Sequence, residues 1–128
     1  MTITALYASL LTLLFVHLSL RTIRLRRSLG IGLGHEENPA MLRAMRVHGN
    51  FAEYVPLALL LIFLVESSGA HQLLVHGLGG TLLSGRLSHA IGVSRNPENF
   101  RFRVFGMAST FAVLLSCAVY LLAIAAAR

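Results

Sequence analysis

The chain alternates between long apolar runs and short polar stretches. The first run, Ile3 to Leu20, is 18 residues without a charge, His17 being its one mid-polar position. At about 1.5 Å per residue such a run just matches a hydrocarbon core of about 30 Å. Its helix is expected to continue through Arg21, Arg24 and Arg27, which share one face, until Gly30-Ile31-Gly32-Leu33-Gly34 breaks it. No strand precedes those glycines and their spacing does not fit a nucleotide loop, so they read as a flexible connection.

Asn38-Pro39 opens a second helix, Asn as N-cap and Pro at the first helical position. Its apolar part runs from Val47 to Val65, and Glu66-Ser67-Ser68-Gly69 ends it. A third run, Leu73 to Ile91, is rich in small residues. Gly80, Ser84 and Ser88 recur there at i, i+4, i+8, a stripe that lets backbones approach closely in lipid. Asn96-Pro97 repeats the cap signal ahead of a fourth run, Phe105 to Ala127. The pattern predicts an all-α membrane protein: one domain, residues 1–128, with helices near 3–29, 39–66, 72–91 and 97–127. Short connections make successive helices antiparallel, giving an up-down bundle of four transmembrane helices.

Composition supports a membrane chain: 55% of residues are hydrophobic and 12% charged, against about 25% charged in soluble domains. The net charge of +6 comes from 11 basic residues that are all Arg. They cluster at the ends of apolar runs, which fits a membrane–water boundary and not a nucleic-acid footprint. The first connection and its flanks hold Arg21, Arg24, Arg26, Arg27, Arg43 and Arg46; the third holds Arg86, Arg95, Arg101 and Arg103; the second holds none. The positive-inside rule makes connections 1 and 3 cytoplasmic and puts both termini outside. A cleaved signal peptide is not expected, because arginines follow the first run and none precedes it. The lone Cys117 lies in an apolar run and reads as a small buried hydrophobe.

Several polar residues interrupt this scheme. Arg43, Arg46, Asn50 and Glu53 fall in one narrow stripe of the second helix. A carboxylate at Glu53's depth costs on the order of 2–3 kcal/mol and calls for a partner, Arg46 or an arginine of another helix. The stripe reads either as a buried polar set that fixes helix register or as a functional site. Pro56 removes a helical hydrogen bond and should bend the helix, either as a packing kink or to open room beside Glu53 and Tyr54. On the third helix Arg86 either snorkels to the interface or joins a site. His89 reads as an interface residue. His71 and His76 are five apart, poor spacing for a shared metal, and no metal site is expected.

The segment Arg43-Ala-Met-Arg46-Val-His-Gly-Asn50-Phe-Ala-Glu53-Tyr54-Val-Pro56 resembles the signature of the MAPEG family (membrane-associated proteins in eicosanoid and glutathione metabolism). Length, four spans and outward termini resemble its short bacterial members across essentially the whole chain. The resemblance implies a homotrimer in the inner membrane, with glutathione as co-substrate in clefts between subunits on the cytoplasmic side and a lipophilic second substrate from the bilayer. It implies glutathione contacts from Arg46, Asn50, Glu53 and Tyr54. It also implies a contact from Arg24 or one of its neighbours Arg21, Arg26 and Arg27, and a place in the site for Arg86. Where enzymes of the family carry two tyrosines, this chain has His89 and Val93, and the resemblance counts His89 with the glutathione-binding residues. The resemblance puts the thiol-activating arginine at Arg101 or Arg103; the alternative reading is that both only anchor the helix at the cytoplasmic interface.

The chemistry fits such a ligand. Arginines pair with carboxylates bidentately, and Glu53 suits an ammonium. Lowering a thiol pKa from about 8.5 to near 7 takes about 2 kcal/mol, which an arginine plus a helix N-terminus supplies. The implied activity is a glutathione transferase or peroxidase acting on apolar electrophiles. The alternatives are a trimeric lipid-binding scaffold without catalysis and a small proton-coupled drug transporter. The transporter class places its glutamate in the first helix, where this chain has no acid.

Overall fold

The computed structural model describes residues 3–127, and they form four helices: α1 (Ile3–Leu29), α2 (Pro39–Ser67), α3 (Gln72–Ser94) and α4 (Phe100–Ala126). Each start after the first has a sequence cause. Asn38 Oδ1 accepts from the backbone N–H of Ala40 and Met41, with Pro39 opening α2. His71 Nδ1 accepts from Leu73 N at the start of α3. The cap expected at Asn96 lies instead at Asn99, whose Oδ1 accepts from Phe102 N. Asn96 and Pro97 sit in the connection, joined by a cis peptide bond, and Asn99 N donates back to Gly92 O. The fourth helix therefore begins three residues later than expected and the third runs on to Ser94.

Helices α1, α2 and α4 are long and apolar enough to cross a membrane. With 23 residues α3 is about 35 Å long; Gly, Ser, His and Arg dilute its apolar residues. It is nonetheless central, packing against α4, α2 and α1, while α1 and α4 make no contact with each other among the described residues. The core is largely aliphatic, built on Leu11, Ile62, Val75, Leu82 and Val113 with the Phe51 ring, and the Cys117 thiol is buried among them. Outward-facing leucines are widely exposed, Leu13 and Leu122 at 69% each, which suits a lipid surround and no aqueous one.

Close approach between α3 and α4 uses a different set of small residues from the Gly80–Ser84–Ser88 stripe. A Cβ on Gly85 would lie 2.8 Å from Ser109 Cβ, and one on Gly106 would lie 2.6 Å from both Gly85 O and His89 Cβ. A Cβ on Gly92 would lie 2.7 Å from Arg103 N and 2.9 Å from Asn99 O and Phe102 Cβ. Ser84 is exposed, a Cβ on Gly80 would make only an ordinary contact with Tyr7 Oη at 3.7 Å, and Ser88 reaches α4 through a hydrogen bond to Phe102 O. The stripe was one position out of phase with the face that packs.

At the other end of the bundle Glu66 closes the start of α1. Its carboxylate accepts from Ile3 N at 2.6 Å, Thr4 N at 2.9 Å and Thr4 Oγ1. These N–H groups belong to a first helical turn and have no partner within α1. Helix α2 runs unbroken through Pro56. The space beside Pro56 opens toward α1, as an apolar cavity of 270 Å³ with Leu11, Phe15, Phe51 and Val55 in its wall, and not beside Glu53 and Tyr54.

Candidate functional site

The polar stripe of α2 leads into a cavity of 260 Å³ at the arginine-rich end of the bundle. Arg43, Arg46 and Asn50 reach it from α2, His89 and Val93 from α3, Glu98 from the connection and Arg103 from α4. The helical repeat puts the three α2 residues on one face, and the Gly85, Gly92 and Gly106 contacts bring α4 close enough for Arg103 to complete the wall.

Arg86 lies behind this wall and is not at the interface. It is 2% exposed. One terminal nitrogen donates to Asn50 Oδ1 at 2.6 Å; the other donates to Gly106 O at 3.1 Å and approaches Met107 Sδ at 3.6 Å. Its Nε is buried without a partner. His89 is also buried, 6% exposed, so it too departs from the interface role. Its ring forms no hydrogen bond among the described residues and lines the cavity.

Arg103 pairs with Glu98 at 2.9 Å, the one ion pair among the described residues. Among the described residues Glu53 therefore pairs neither with Arg46 nor with an arginine of another helix. Glu53 is exposed on the outer face of α2, and Arg46 faces the cavity with no acidic partner. Tyr54 turns toward α4, its ring edge-on to Phe111 with centroids 5.6 Å apart.

Besides Glu53, Tyr54 and Arg86, two further expected residues lie outside this cavity. Arg24 lines a second cleft, of 510 Å³, with His17, Arg21, Ser28, Arg43 and Ser94; there Arg21 donates to Ser94 Oγ. Arg43 borders both spaces. Arg26 is committed to the first connection, donating to Gly34 O and Met45 Sδ. Arg101 lies on the far side of the connection with Arg95, Asn96 and Phe100, outside the polar cavity. Of the two candidates at the start of α4, Arg103 is the one placed in it.

Glu98 and Val93 complete the wall; Val93 stands where enzymes of the family carry a tyrosine, and Glu98 was not expected in the site. Glu98, five residues before Arg103, could have been found as its nearest acid in sequence. His48 was passed over although it sits within the signature. Its Nε2 lies 3.0 Å from Ser19 Oγ and its ring stacks on Phe15, fastening α2 to α1. No group of three or more metal-ligating side chains occurs among the described residues.

The arrangement supplies cationic and neutral hydrogen-bond donors in a half-open, polar recess next to apolar helix surface. It can hold an anionic group where an apolar molecule can approach. Two comparisons bear on this. The profile of the MAPEG family matches residues 4–123. The chain is also 38% identical over 113 residues to Inner membrane protein YecN of Escherichia coli K12, covering 88% of this chain and 85% of that protein. The YecN of Escherichia coli O6:H1 strain CFT073 matches to the same extent.

Proposed function

The chain belongs to the MAPEG family, and on that premise we propose that it is an inner-membrane protein that binds glutathione in the Arg46–Asn50–Arg103 cavity and conjugates or reduces apolar electrophiles drawn from the bilayer. The observation that carries this reading is the convergence of Arg43, Arg46, Asn50 and Arg103 on one recess. Glutathione presents two carboxylates and a thiol, all best held by donors. Arg103 is the thiolate partner in this reading, and Arg101 anchors the end of α4. The thiol loses its proton to solvent. In conjugation the thiolate sulfur bonds the electrophilic carbon as the leaving group departs. In peroxide reduction it bonds one peroxide oxygen as the O–O bond breaks and the alkoxide leaves, a second glutathione then turning the sulfenic acid into disulfide and water.

The complete site is formed between subunits of a homotrimer. Glu53 is exposed within a single chain, and an unpaired carboxylate on an apolar helix face is costly against lipid. Placed at a subunit boundary, it meets the glutathione ammonium. Arg24, in the second cleft, reaches a ligand held by a neighbour. The failure of α1 and α4 to touch leaves the bundle open for such packing. All four helices span the membrane, α3 shielded by its neighbours, and connections 1 and 3 face the cytoplasm because ten of the 11 arginines lie in them or in the helix segments that flank them.

The experiment is ultraviolet thiolate absorbance of detergent-purified protein with glutathione, followed by conjugation of an apolar electrophile. A thiolate band at neutral pH and product formation are expected; binding without a thiolate removes the catalytic half. A second reading, lipid binding without turnover, draws on the 270 Å³ apolar cavity between α1 and α2. Saturable binding of a fluorescent fatty acid with no conjugation would favour it.

A further inference from the structure

Asn50 stands between a buried arginine and the polar cavity, and this fixes what its amide can do. A guanidinium has only donors. The atom of Asn50 that lies 2.6 Å from Arg86 Nη1 must therefore be the oxygen, and the amide cannot flip without setting donor against donor. Arg86 cannot yield either. It is 2% exposed, and its other terminal nitrogen is held by Gly106 O, across on α4. The Asn50 Nδ2 group makes no hydrogen bond among the described residues and is left for the cavity that Asn50 lines.

We propose that Arg86 is a positioning residue that locks Asn50 as a hydrogen-bond donor, so that the recess selects ligand groups that only accept: carboxylate, thiolate or phosphate-like oxygens. The rest of the wall agrees. Arg43, Arg46 and Arg103 only donate, and the single acid, Glu98, already accepts from Arg103. His89 is the one lining side chain that can present a donor or an acceptor. A ligand ammonium placed at Asn50 would set donor against donor, a mismatch that a site partly closed to water penalises. This inference rests on the proposed glutathione site only for the identity of the ligand.

The test is the order of binding among the parent, Asn50→Ala and Asn50→Asp in the intact detergent-purified protein, by calorimetry with glutathione and separately with inorganic phosphate. Asp keeps the shape and the bond to Arg86 but turns the cavity-facing donor into an acceptor. Asn50→Asp is expected to bind at least tenfold more weakly than the parent and more weakly than Asn50→Ala, with no loss of thermal stability. Parent-like binding by Asn50→Asp, or weaker binding by Asn50→Ala than by Asn50→Asp, overturns the inference and leaves the glutathione reading standing. Phosphate binding in the expected order without glutathione binding removes the glutathione reading alone. A parent that binds neither removes both. Should Asn50→Asp not fold, nitrogen-edited NMR of the parent decides. The Asn50 side-chain amide protons shift on adding phosphate if they donate to the ligand, and unchanged signals refute the proposal.

Discussion

Arg86 and Asn50 meet at 2.6 Å, and through the second bond of Arg86 to Gly106 O this contact joins α2, α3 and α4 at one point. The charge is buried and has no acidic partner among the described residues. Replacing Arg86 by Ala leaves a void and orphans the Asn50 oxygen, whereas Gly106 O keeps its bond from Thr110 Oγ1. We expect a loss of about 2–4 kcal/mol, read by unfolding in detergent micelles. A variant as stable as the parent would show that the three-helix tie is dispensable.

The α3–α4 crossing depends on glycine at one position and tolerates a methyl at another. Gly106→Ala places a Cβ 2.6 Å from Gly85 O and should destabilise by about 1–3 kcal/mol through overpacking. Gly80→Ala meets only Tyr7 Oη at 3.7 Å and gains helix propensity, so it should be neutral or stabilising. Thermal unfolding of the two variants side by side checks the contrast.

Glu66→Ala removes the acceptor shared by Ile3 N, Thr4 N and Thr4 Oγ1. The expected cost is that of a lost helix cap, about 0.5–2 kcal/mol. Amide hydrogen exchange should rise in the first turn of α1 and stay unchanged at the start of α2, where Asn38 caps independently.

Much of the fold was legible because membrane helices announce themselves by length and apolarity, and because Asn38-Pro39 is a cap with a local mechanism. What was not legible needed a partner from another helix. Asn96 and Asn99 are both credible caps by type, and the return of Asn99 N to Gly92 O decides between them. The small residues of α3 are too frequent for their packing phase to be read without α4. In the site, spacing alone put Arg43, Arg46 and Asn50 on one face, and His89 and Arg103 joined them. The pairing of Arg46 with Glu53 did not form, because Arg46 turns into the recess while Glu53 faces outward. Arg24 and Arg101 lie in other spaces, which a stripe on one helix could not reveal.

The sidedness proposed from the arginines is open to labelling. In a Cys117→Ala background, Ser68→Cys should react with a membrane-impermeant thiol reagent applied to intact cells, and Glu36→Cys should not. The reverse pattern would invert the topology and place the polar cavity outside.

The chemistry turns on Arg103 against Arg101. Arg103→Ala should raise the pKa of bound glutathione thiol by about one unit or more, the scale of losing an adjacent opposite charge. Arg101→Ala should titrate like the parent, because Arg101 lies outside the cavity. Thiolate absorbance across pH reads both, and equal behaviour of the two variants would remove Arg103 from the reaction.

The central claim is that the recess at Arg46 holds glutathione, and calorimetric titration of the purified protein in mild detergent tests it most directly. The parent should bind saturably, and Arg46→Ala should bind at least tenfold more weakly, about 1.4 kcal/mol, while keeping its helical content. A parent that gives no binding heat and no competition against a labelled glutathione analogue, or an Arg46→Ala variant that binds as the parent does, would contradict it.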